Sequence, residues 1–592
     1  MRLDDATPFV LLDDARALAR PARLYRDPRR VIRADRAEQV WPALAELEAA
    51  RTAGHWVAGF LAYEAGQALA PRALPAVDPG CPSLWFGLFD SFEEIPAERV
   101  PALLPDPAGA WAGSPRPRIS RETYGERFRH VIELIHAGDI YQANLTLRAD
   151  VPFAGSPLAL YAALRGRAKA GYGGVVWTGQ DWLLSLSPEL FFSAKDGHLT
   201  ARPMKGTAPR SASPEEDERL ARSLTEDPKQ RAENLMIVDL LRNDLSRVAV
   251  PGSVGVPQSF KVETYPTVHQ MVSTVTAELM PDRGPVDAIE SLFPCGSITG
   301  APKMRAMEII AEIEAAPRGP YCGAIGRIDP DGTTGFNVAI RTLHIPAGAG
   351  TATLGLGGGI VADSREEEEW QEALAKGAFV TAGQRGFDLI ETMAFDPEHG
   401  IPLLERHLAR MKASALALGF SFDRHATRNE LQAATFRLGL SSRVRLLLAP
   451  SGAIAIGIAP MPSAPAQPVS VAIAPLPVES DDFRLRHKTS NRGFYDRARV
   501  KGAFETVFAD PSGHLTEGSF TSIFVERDGL LVTPPLARGL LPGVLRAELI
   551  ESGRAVEGDL MAEDLRDGFL LGNALRGLIR AQTVAQPVKA SL

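Results

Sequence analysis

A glycine-bounded joint, Gly383-Gln-Arg-Gly386, divides this 592-residue chain into two stretches with different patterns of apolar residues. Before the joint, short apolar runs bounded by turns predict strands, which then mix with helices up to about Phe379. After it, Phe387-Asp-Leu-Ile-Glu-Thr-Met begins another pattern of strand, helix and strand. The length fits about four average domains or two large ones. We predict two α/β domains, residues 1–382 and 383–592.

Composition excludes several classes of protein. The formal charge of −8 is mildly acidic and argues against a nucleic-acid binder. Three cysteines, Cys81, Cys295 and Cys322, give neither a disulfide framework nor zinc-ligand spacing, which fits a reducing cytoplasm. The N-terminus has no basic segment followed by an apolar one, and no run of about twenty uncharged apolar residues exists. We expect a cytoplasmic protein that binds neither membrane nor nucleic acid.

Lys205 lies between prolines in the stretch 202–210, sixteen residues after Glu189. This setting predicts a short, stiff loop. An amine there can attack an electrophilic carbon if its pKa is lowered, and a nearby carboxyl group can protonate a leaving group. Taken alone, the pair fits an exposed lysine and a surface glutamate better. The neighbouring motifs favour a catalytic role for both residues.

Four further segments accompany this pair, at 138–146, 233–244, 293–308 and 357–376. Together and in this order, the segments resemble the chorismate-utilising enzymes, a family that includes the synthases of anthranilate, aminodeoxychorismate, isochorismate and salicylate. The resemblance covers about residues 1–380. It implies a two-sheet sandwich with surrounding helices, chorismate as substrate and Mg²⁺ as cofactor.

The resemblance also assigns roles to residues. Glu189 is the general acid and base, and Lys205 is the nucleophile. Glu233 and Glu372 are implied Mg²⁺ ligands, with Glu369 as a closely associated or water-mediated contact; carboxylate oxygens suit this ion. The implied substrate-binding residues are Gln142, His269, Thr299, Tyr321, Arg341, Gly358 and Lys376. The acidic run just before Glu369 is instead a solvated helix start favoured by the helix dipole.

Two positions favour one branch of the family. Enzymes of this family in which water attacks carry lysine where this chain has Gln142. Anthranilate synthases usually carry alanine where it has Lys205, whereas lysine there resembles aminodeoxychorismate synthase component I. The expected product is 4-amino-4-deoxychorismate, formed with ammonia, and an anthranilate synthase-like enzyme is the alternative. None of the three cysteines fits a glutaminase, so a separate glutamine amidotransferase subunit or free ammonia is expected.

The second stretch contains weaker motifs that gain meaning from their order, at 405–415, 487–495, 515–525, 539–546 and 572–577. They resemble class IV pyridoxal phosphate enzymes, of two-subdomain α/β fold, and within them 4-amino-4-deoxychorismate lyase. By this resemblance Lys488 binds the cofactor covalently and moves a proton, and Glu517 pairs with the pyridine nitrogen. The other implied residues are Arg410, Val544 and Leu545 for the phosphate, Tyr495 near the ring hydroxyl, and Asn573 for substrate.

Two features depart from that family. Ser522 stands where asparagine is usual, and the start of the domain is shortened, with only Arg385-Gly-Phe and Glu391-Thr recognisable. Either the first domain supplies missing packing or the second site is weakened. A D-amino acid or branched-chain aminotransferase and a non-catalytic scaffold are the alternatives for this half.

The two halves form a coherent pair. The first would make aminodeoxychorismate, and the second would eliminate pyruvate from it to give 4-aminobenzoate for folate synthesis. A homodimer through the second domain is a further expectation.

Overall fold

The computed structural model describes residues 2–16, 19–70, 78–264 and 268–584. The chain divides into two compact units. The first unit comprises Met1–Leu104, Ser114–Val151 and Tyr161–Ala382, and the second comprises Pro105–Gly113, Pro152–Leu160 and Gly383–Leu592. The sequence predicted one boundary at Gly383, which would place the segments Pro105–Gly113 and Pro152–Leu160 in the first domain. No helix in the described ranges combines the length and apolarity needed to cross a membrane.

The helices are as follows: α1 (Ala37–Thr52), α2 (Gly66–Leu69), α3 (Val100–Leu103), α4 (Arg121–His136), α5 (Pro157–Ala168), α6 (Pro214–Glu226), α7 (Pro228–Ser246), α8 (Pro285–Leu292), α9 (Lys303–Ile313), α10 (Glu366–Ala375), α11 (Leu404–Leu418), α12 (Arg424–Thr435), α13 (Phe483–Arg486), α14 (Gly493–Ala498) and α15 (Val544–Glu551).

The strands up to residue 382 are β1 (Phe9–Asp13), β2 (Ala22–Arg26), β3 (Arg30–Ala34), β4 (Trp56–Leu61), β5 (Leu84–Phe89), β6 (Glu93–Ile95), β7 (Trp111–Ala112), β8 (Arg116–Pro117), β9 (Gln142–Ala154), β10 (Tyr172–Trp177), β11 (Asp181–Ser187), β12 (Leu190–Lys195), β13 (His198–Arg202), β14 (Met204–Pro209), β15 (Gly255–Thr264), β16 (Val268–Glu278), β17 (Gly300–Ala301), β18 (Ala324–Ile328), β19 (Thr334–Val338), β20 (Thr342–Pro346) and β21 (Thr351–Ile360). Those that follow are β22 (Leu389–Phe395), β23 (Ser442–Leu448), β24 (Ile454–Pro460), β25 (Val469–Pro475), β26 (Glu505–Ala509), β27 (Leu515–Gly518), β28 (Ser522–Arg527), β29 (Leu530–Thr533), β30 (Ala555–Glu557), β31 (Phe569–Asn573) and β32 (Gly577–Thr583).

Two large sheets form the first unit. One has the order β17-β9-β21-β20-β11-β10-β1-β2-β6, and the other β14-β16-β13-β12-β19-β18-β4-β5-β3. One buried cluster takes Val10 and Leu183 from the first sheet and Phe60 and Ile325 from the second. The sheets therefore pack face to face, because apolar strand faces must be covered. The predicted α/β fold class is confirmed.

Local structure differs from expectation at two motifs of the first unit. Lys205 lies within β14 and not on a loop, and Gly357-Gly358-Gly359 lies within β21 and not in a turn. Each motif contains glycine, which the sequence alone favours as a turn residue. Here glycine instead permits close approach, since a Cβ atom at Gly357 would lie 2.4 Å from the Leu145 carbonyl oxygen.

The second unit contains a three-stranded sheet, β22-β23-β24, and an eight-stranded sheet, β27-β26-β25-β32-β31-β28-β29-β30. Buried and exposed positions alternate along β23, as expected of a sheet with one covered face. The covered face contributes Met393 and Val444 to a core that also includes Leu408 and Met411 of α11. The opposite face leaves Arg443 and Arg445 exposed.

Trp111, from the short segment before Gly113, belongs to the same core of the second unit. Its side chain is 9 % exposed, and its indole N–H donates to the Leu418 carbonyl oxygen at 3.1 Å. Its ring centroid lies 4.6 Å from that of Phe387 and 6.1 Å from that of Phe420. The shortened start of the second domain is thus supplemented by a residue from earlier in the chain.

Candidate active sites

Lys205 meets carboxylates in the first unit. Its Nζ lies 3.1 Å from Glu233 Oε2, and both side chains are largely buried. Lys205 belongs to strand β14 and Glu233 to helix α7. The helix packs on that strand, which brings the two side chains together. The charge of Lys205 also acts on Glu369 and Glu372 from α10. The structure therefore brings the predicted nucleophile together with the three predicted metal-binding carboxylates.

Two glycines of β21 form one wall of this site. A Cβ atom at Gly359 would lie 2.6 Å from Gln142 Nε2 and 3.0 Å from Lys205 Nζ. A Cβ atom at Gly358 would lie 3.3 Å from both Glu369 Oε2 and Lys376 Nζ. A side chain at Gly359 would therefore displace Gln142, and one at Gly358 would press against Glu369 and Lys376. The predicted Gln142, Lys205, Gly358, Glu369 and Lys376 lie together here.

Gln142 is buried, and neither its amide nitrogen nor its amide oxygen has a hydrogen-bond partner among the residues described. A buried, unpaired amide costs free energy, so such groups are usually satisfied by water or by a ligand. Its position beside Lys205 makes this amide a candidate for substrate contact.

Glu189 is buried at the start of β12 and accepts a hydrogen bond from Ser297 Oγ at 2.8 Å. Burial raises the pKa of Glu189 to about 7, against the opposing effects of the Ser297 hydrogen bond and the Lys205 charge. The carboxyl group can therefore be protonated near neutral pH and donate a proton. Sequence reasoning missed Ser297, although it lies in the quoted segment 293–308.

The carboxylates of α10 have oxygen donors of the kind that Mg²⁺ prefers. Burial raises the pKa of Glu369, whereas at Glu372 the charges of Lys376 and Lys205 outweigh burial and lower the pKa. Lys376 Nζ lies 2.8 Å from Glu372 Oε1 and donates to the Gly357 carbonyl oxygen. Within the described ranges, no three carboxylate, imidazole or thiol groups form a ready metal cage. These carboxylate oxygens are the kind of donor that Mg²⁺ prefers, and the Glu233 carboxylate is paired with Lys205.

Four predicted substrate residues are held by protein groups. His269 contacts Thr264 Oγ1 at 3.0 Å and Asp217 Oδ1 at 2.9 Å through its two ring nitrogens. The Thr299 hydroxyl donates to backbone carbonyl oxygens, and the Tyr321 ring packs against Gly355. Arg341 has a positive φ of 50°, and its carbonyl oxygen accepts from Leu186. Their roles toward substrate stay predictions.

The second unit contains a cavity of about 270 Å³. Residues that line it include the predicted Lys488, Arg410, Glu517, Val544, Leu545 and Asn573. Further lining residues that sequence reasoning did not assign include Thr392, His407, Arg443, Arg492, Ser522 and Arg576. Among the quoted motifs, the three-residue spacing of His407 and Arg410 on one helix was the signal that could have found His407.

Lys488 lies between α13 and α14, and its carbonyl oxygen accepts from the Ile390 amide. Burial, together with the charges of Arg410 and Arg492, lowers the pKa of Lys488 to about 7, despite the opposing charge of Glu391. A substantial fraction of the amine is therefore neutral near pH 7. This is the state that an attacking lysine needs.

Glu517 is buried in the cavity wall, and burial raises its pKa to about 7. Arg492 and a hydrogen bond from the Tyr495 hydroxyl, at 2.8 Å, oppose that shift. Tyr495 is itself buried, with its ring stacked on Phe508 at 5.0 Å, and it contacts Glu517 instead of lining the cavity. The structure thus places the Tyr495 hydroxyl on the predicted cofactor-binding Glu517, and its contact near the ring hydroxyl stays a prediction.

Arg410 is held in a fixed orientation. Its Nε and Nη2 donate to the two oxygens of Glu391 at 2.8 and 2.6 Å, and its Nη1 donates to the Pro542 carbonyl oxygen at 3.0 Å. Pro542 lies just before α15, which begins at Val544. Backbone N–H groups at a helix start and a guanidinium suit a phosphate group. These residues fit the phosphate of the predicted cofactor.

Asn573 and Ser522 are both present at the cavity. Asn573 Oδ1 accepts from the backbone N–H groups of Leu575 and Arg576, and its Nδ2 donates to Phe520. This side chain therefore shapes the turn after β31. A Cβ atom at Gly543 would lie 2.7 Å from Ser522 Oγ, so the Ser522 hydroxyl would have to move if any side chain replaced this glycine.

Comparisons with known proteins agree with both sites. Residues 7–382 match the family of chorismate binding enzymes, and residues 388–584 match the class IV amino-transferases. The chain therefore belongs to the chorismate binding enzyme family, and its C-terminal part carries a class IV aminotransferase domain. The resemblances inferred from the motifs of the two halves are confirmed at this level.

Relatives point to aminodeoxychorismate and anthranilate synthases. The chain is 46 % identical to aminodeoxychorismate synthase component 1 of Klebsiella aerogenes over 261 residues, 44 % of this chain and 57 % of that protein. It is 41 % identical to anthranilate synthase component 1 of Thermus thermophilus over 289 residues, 47 % of this chain and 60 % of that protein. The chain thus spans little more than half the length of these relatives. Anthranilate synthase component I from Streptococcus pneumoniae has a solved structure with a TM-score of 0.53 and 28 % identity, covering 62 % of this chain and 92 % of that one.

Proposed function

We propose that this chain converts chorismate to 4-amino-4-deoxychorismate with ammonia in its first unit, and that its second unit eliminates pyruvate from this product to give 4-aminobenzoate. The single observation that carries the first step is Lys205, held beside Glu233 and Gln142 and close enough for its charge to act on Glu189. An anthranilate synthase-like reaction would not require an amine at this position.

Each residue of the first site has a distinct task in this proposal. Lys205 forms a bond to the ring, and Glu189 gives its proton to the departing hydroxyl, since its raised pKa keeps a protonated fraction near neutral pH. Ammonia then replaces the lysine. Glu233, Glu369 and Glu372 would hold Mg²⁺, which supplies a positive charge for a substrate carboxylate.

The second site suits an anionic substrate that derives from chorismate. Lys488, Arg410, Arg443, Arg492 and Arg576 line the cavity. Glu391 neutralises Arg410, and Glu517 is the acidic residue of the cavity wall, so positive charge is in excess. Pyridoxal phosphate, held by Arg410 and Glu517, would supply an electron sink. Lys488 moves protons at the substrate, while the remaining arginines bind its carboxylates.

Ammonia would come from a separate glutamine amidotransferase subunit. The three cysteines have no position suited to a glutaminase nucleophile, and burial raises the pKa of all three thiols. A thiol with a raised pKa is a poor nucleophile. Free ammonium should replace this partner in a test.

Product analysis tests the proposal directly. The pure protein is incubated with chorismate, Mg²⁺ and ammonium, with and without pyridoxal phosphate, and products are separated by chromatography. We expect aminodeoxychorismate to accumulate without pyridoxal phosphate and to be converted to 4-aminobenzoate when pyridoxal phosphate is present. Anthranilate as the product would instead support the alternative for the first unit. Aminodeoxychorismate that accumulates despite the added cofactor would refute the lyase assignment.

A further inference from the structure

The second unit contains a buried carboxylate–imidazole pair whose histidine lines the cavity. Glu391 of β22 and His407 of α11 are each 1 % exposed, and Glu391 Oε2 lies 2.6 Å from His407 Nδ1. The other ring nitrogen, Nε2, is buried and has no hydrogen-bond partner among the described residues. His407 lines the same cavity as Lys488. A buried polar atom at a cavity wall is usually satisfied by an ordered water or by a bound ligand.

The imidazole lies directly beside the guanidinium of Arg410. The same oxygen, Glu391 Oε2, accepts from His407 Nδ1 and from Arg410 Nη2, each at 2.6 Å. His407 and Arg410 lie three residues apart on α11, so both side chains project from one face of the helix. An anion that binds the Arg410 guanidinium would therefore lie close to the His407 imidazole.

The proton on the imidazole can be assigned from this geometry. A carboxylate accepts hydrogen bonds only, so Nδ1 carries the proton and the neutral ring has a lone pair on Nε2. Burial lowers the pKa of His407, Glu391 on β22 opposes this effect, and Arg410 on the same helix and Lys488 before α14 reinforce it. A phosphate dianion in the cavity would offset those two cations and favour the charged imidazolium.

We propose that His407 is a proton-linked ligand of the phosphate group that binds in this cavity. When a phosphate ester dianion binds, one proton from solvent is placed on His407 Nε2. That N–H then donates to a phosphate oxygen, while Glu391 holds the opposite nitrogen. The inference rests on the proposed cofactor site but not on the lyase reaction.

This coupling sets a direction for the pH dependence. The pKa of His407 is higher in the complex than in the free protein, so binding takes up a proton between these two values. Between these two values the affinity for the dianion therefore falls as the pH rises, by up to about tenfold per pH unit. Lys488 in the same cavity also has a lowered pKa and can take up a proton, so the contribution of His407 is the part of the uptake that is lost when His407 alone is replaced.

The test counts protons during binding. The full-length protein, freed of cofactor, is titrated by calorimetry with pyridoxine 5′-phosphate, which lacks the aldehyde and cannot bond to Lys488. Titrations at pH 8 in two buffers of different ionisation enthalpy give the number of protons taken up. We expect the wild type to take up about one proton more than His407→Gln, which keeps a hydrogen-bond donor but cannot titrate. His399→Gln, which removes an exposed histidine of the same unit, serves as the control.

Two outcomes would overturn the inference. Equal proton uptake by the wild type and His407→Gln would show that His407 does not titrate on binding. If His407→Gln fails to fold, the wild type with ¹⁵N-labelled histidine decides: the Nε2 resonance should move to that of an N–H on ligand addition, and an unprotonated Nε2 in the complex would refute the inference. Absence of any binding to the wild type would instead reject the cofactor site itself.

Discussion

The two units place their central lysines in opposite electrostatic surroundings. Lys205 is paired with Glu233 at 3.1 Å, near Glu369 and Glu372, whereas Lys488 lies among Arg410, Arg492 and Arg445, which together with burial lower its pKa to about 7. In the first unit, carboxylates surround the lysine, and in the proposed reaction Lys205 must leave its carboxylate partner before it can attack. In the second unit, arginine side chains provide positive charge that suits a phosphate group and carboxylates, and the lowered pKa leaves the Lys488 amine partly neutral.

The buried glutamates of the two sites differ in a similar way. Glu189 and Glu517 both have pKa values raised to about 7 by burial. Glu189 has a neutral hydroxyl partner, Ser297, which suits a group that gives up its proton and regains it. Glu517 receives the Tyr495 hydroxyl and feels the charge of Arg492, both of which favour the ionised form that a pyridinium N–H requires.

The largest expected effect tests the lysine of the second unit. Replacing Lys488 with Ala removes the amine that we propose binds the cofactor, so the visible absorbance of the bound cofactor and 4-aminobenzoate formation should both be lost. Aminodeoxychorismate should accumulate, and an added independent lyase should restore 4-aminobenzoate. Lys501→Ala, at an exposed position, is the control. Production of 4-aminobenzoate by Lys488→Ala at the wild-type rate would assign the lyase reaction elsewhere.

Lys205→Ala gives the corresponding test in the first unit. With ammonium as substrate, we expect aminodeoxychorismate formation to be abolished, because the nucleophile is gone. Folding, measured by circular dichroism, should be unchanged, as it should for the exposed control Lys195→Ala. Undiminished turnover would disprove the covalent role and support the anthranilate synthase-like alternative.

Substitutions can distinguish the proposed Mg²⁺ ligands near Lys205 from a surface glutamate on helix α10. Glu372→Gln and Glu233→Gln should each lower Mg²⁺-dependent turnover by more than about 100-fold, since a lost metal contact costs several kcal/mol. Glu367→Gln should have little effect, because this side chain is 66 % exposed and pairs with Arg121 on the surface. Steady-state rates across a range of Mg²⁺ concentrations measure the difference. Similar losses in all three variants would mean that the ligands are misassigned.

The raised pKa of Glu189 predicts a pH dependence of the first reaction. The protonated form is the acid, and the fraction protonated falls as the pH rises through about 7, so aminodeoxychorismate formation should decline above that pH. Glu189→Gln should slow the reaction by about 100-fold to 10,000-fold and remove this limb of the profile. A decline that persists in the variant would belong to another group.

The sequence predicted both families and most of the residues that meet at each site, because the motifs preserve residue type and order. It failed where a contact depends on the fold. The loop predicted at Lys205 is a strand, and the glycine turn predicted at 357–359 also lies within a strand. His407 was visible in a helix motif, yet only the position of β22 beside α11 shows that Glu391 fixes its ring.

The smallest expected effect concerns stability and again distinguishes the units. Trp111→Ala removes a buried indole and its hydrogen bond from the core of the second unit, which should cost about 3–5 kcal/mol of unfolding free energy there. Denaturant unfolding followed by the absorbance of bound cofactor should show this loss, whereas aminodeoxychorismate formation by the first unit should persist. Trp41→Ala, at a side chain that is 47 % exposed, is the matched control and should have little effect.

Because the core of the second unit includes the Trp111 indole, a fragment that begins at Gly383 should unfold more readily than the second unit within the full chain. Equal stability of fragment and full chain would show that the segment around Trp111 is dispensable.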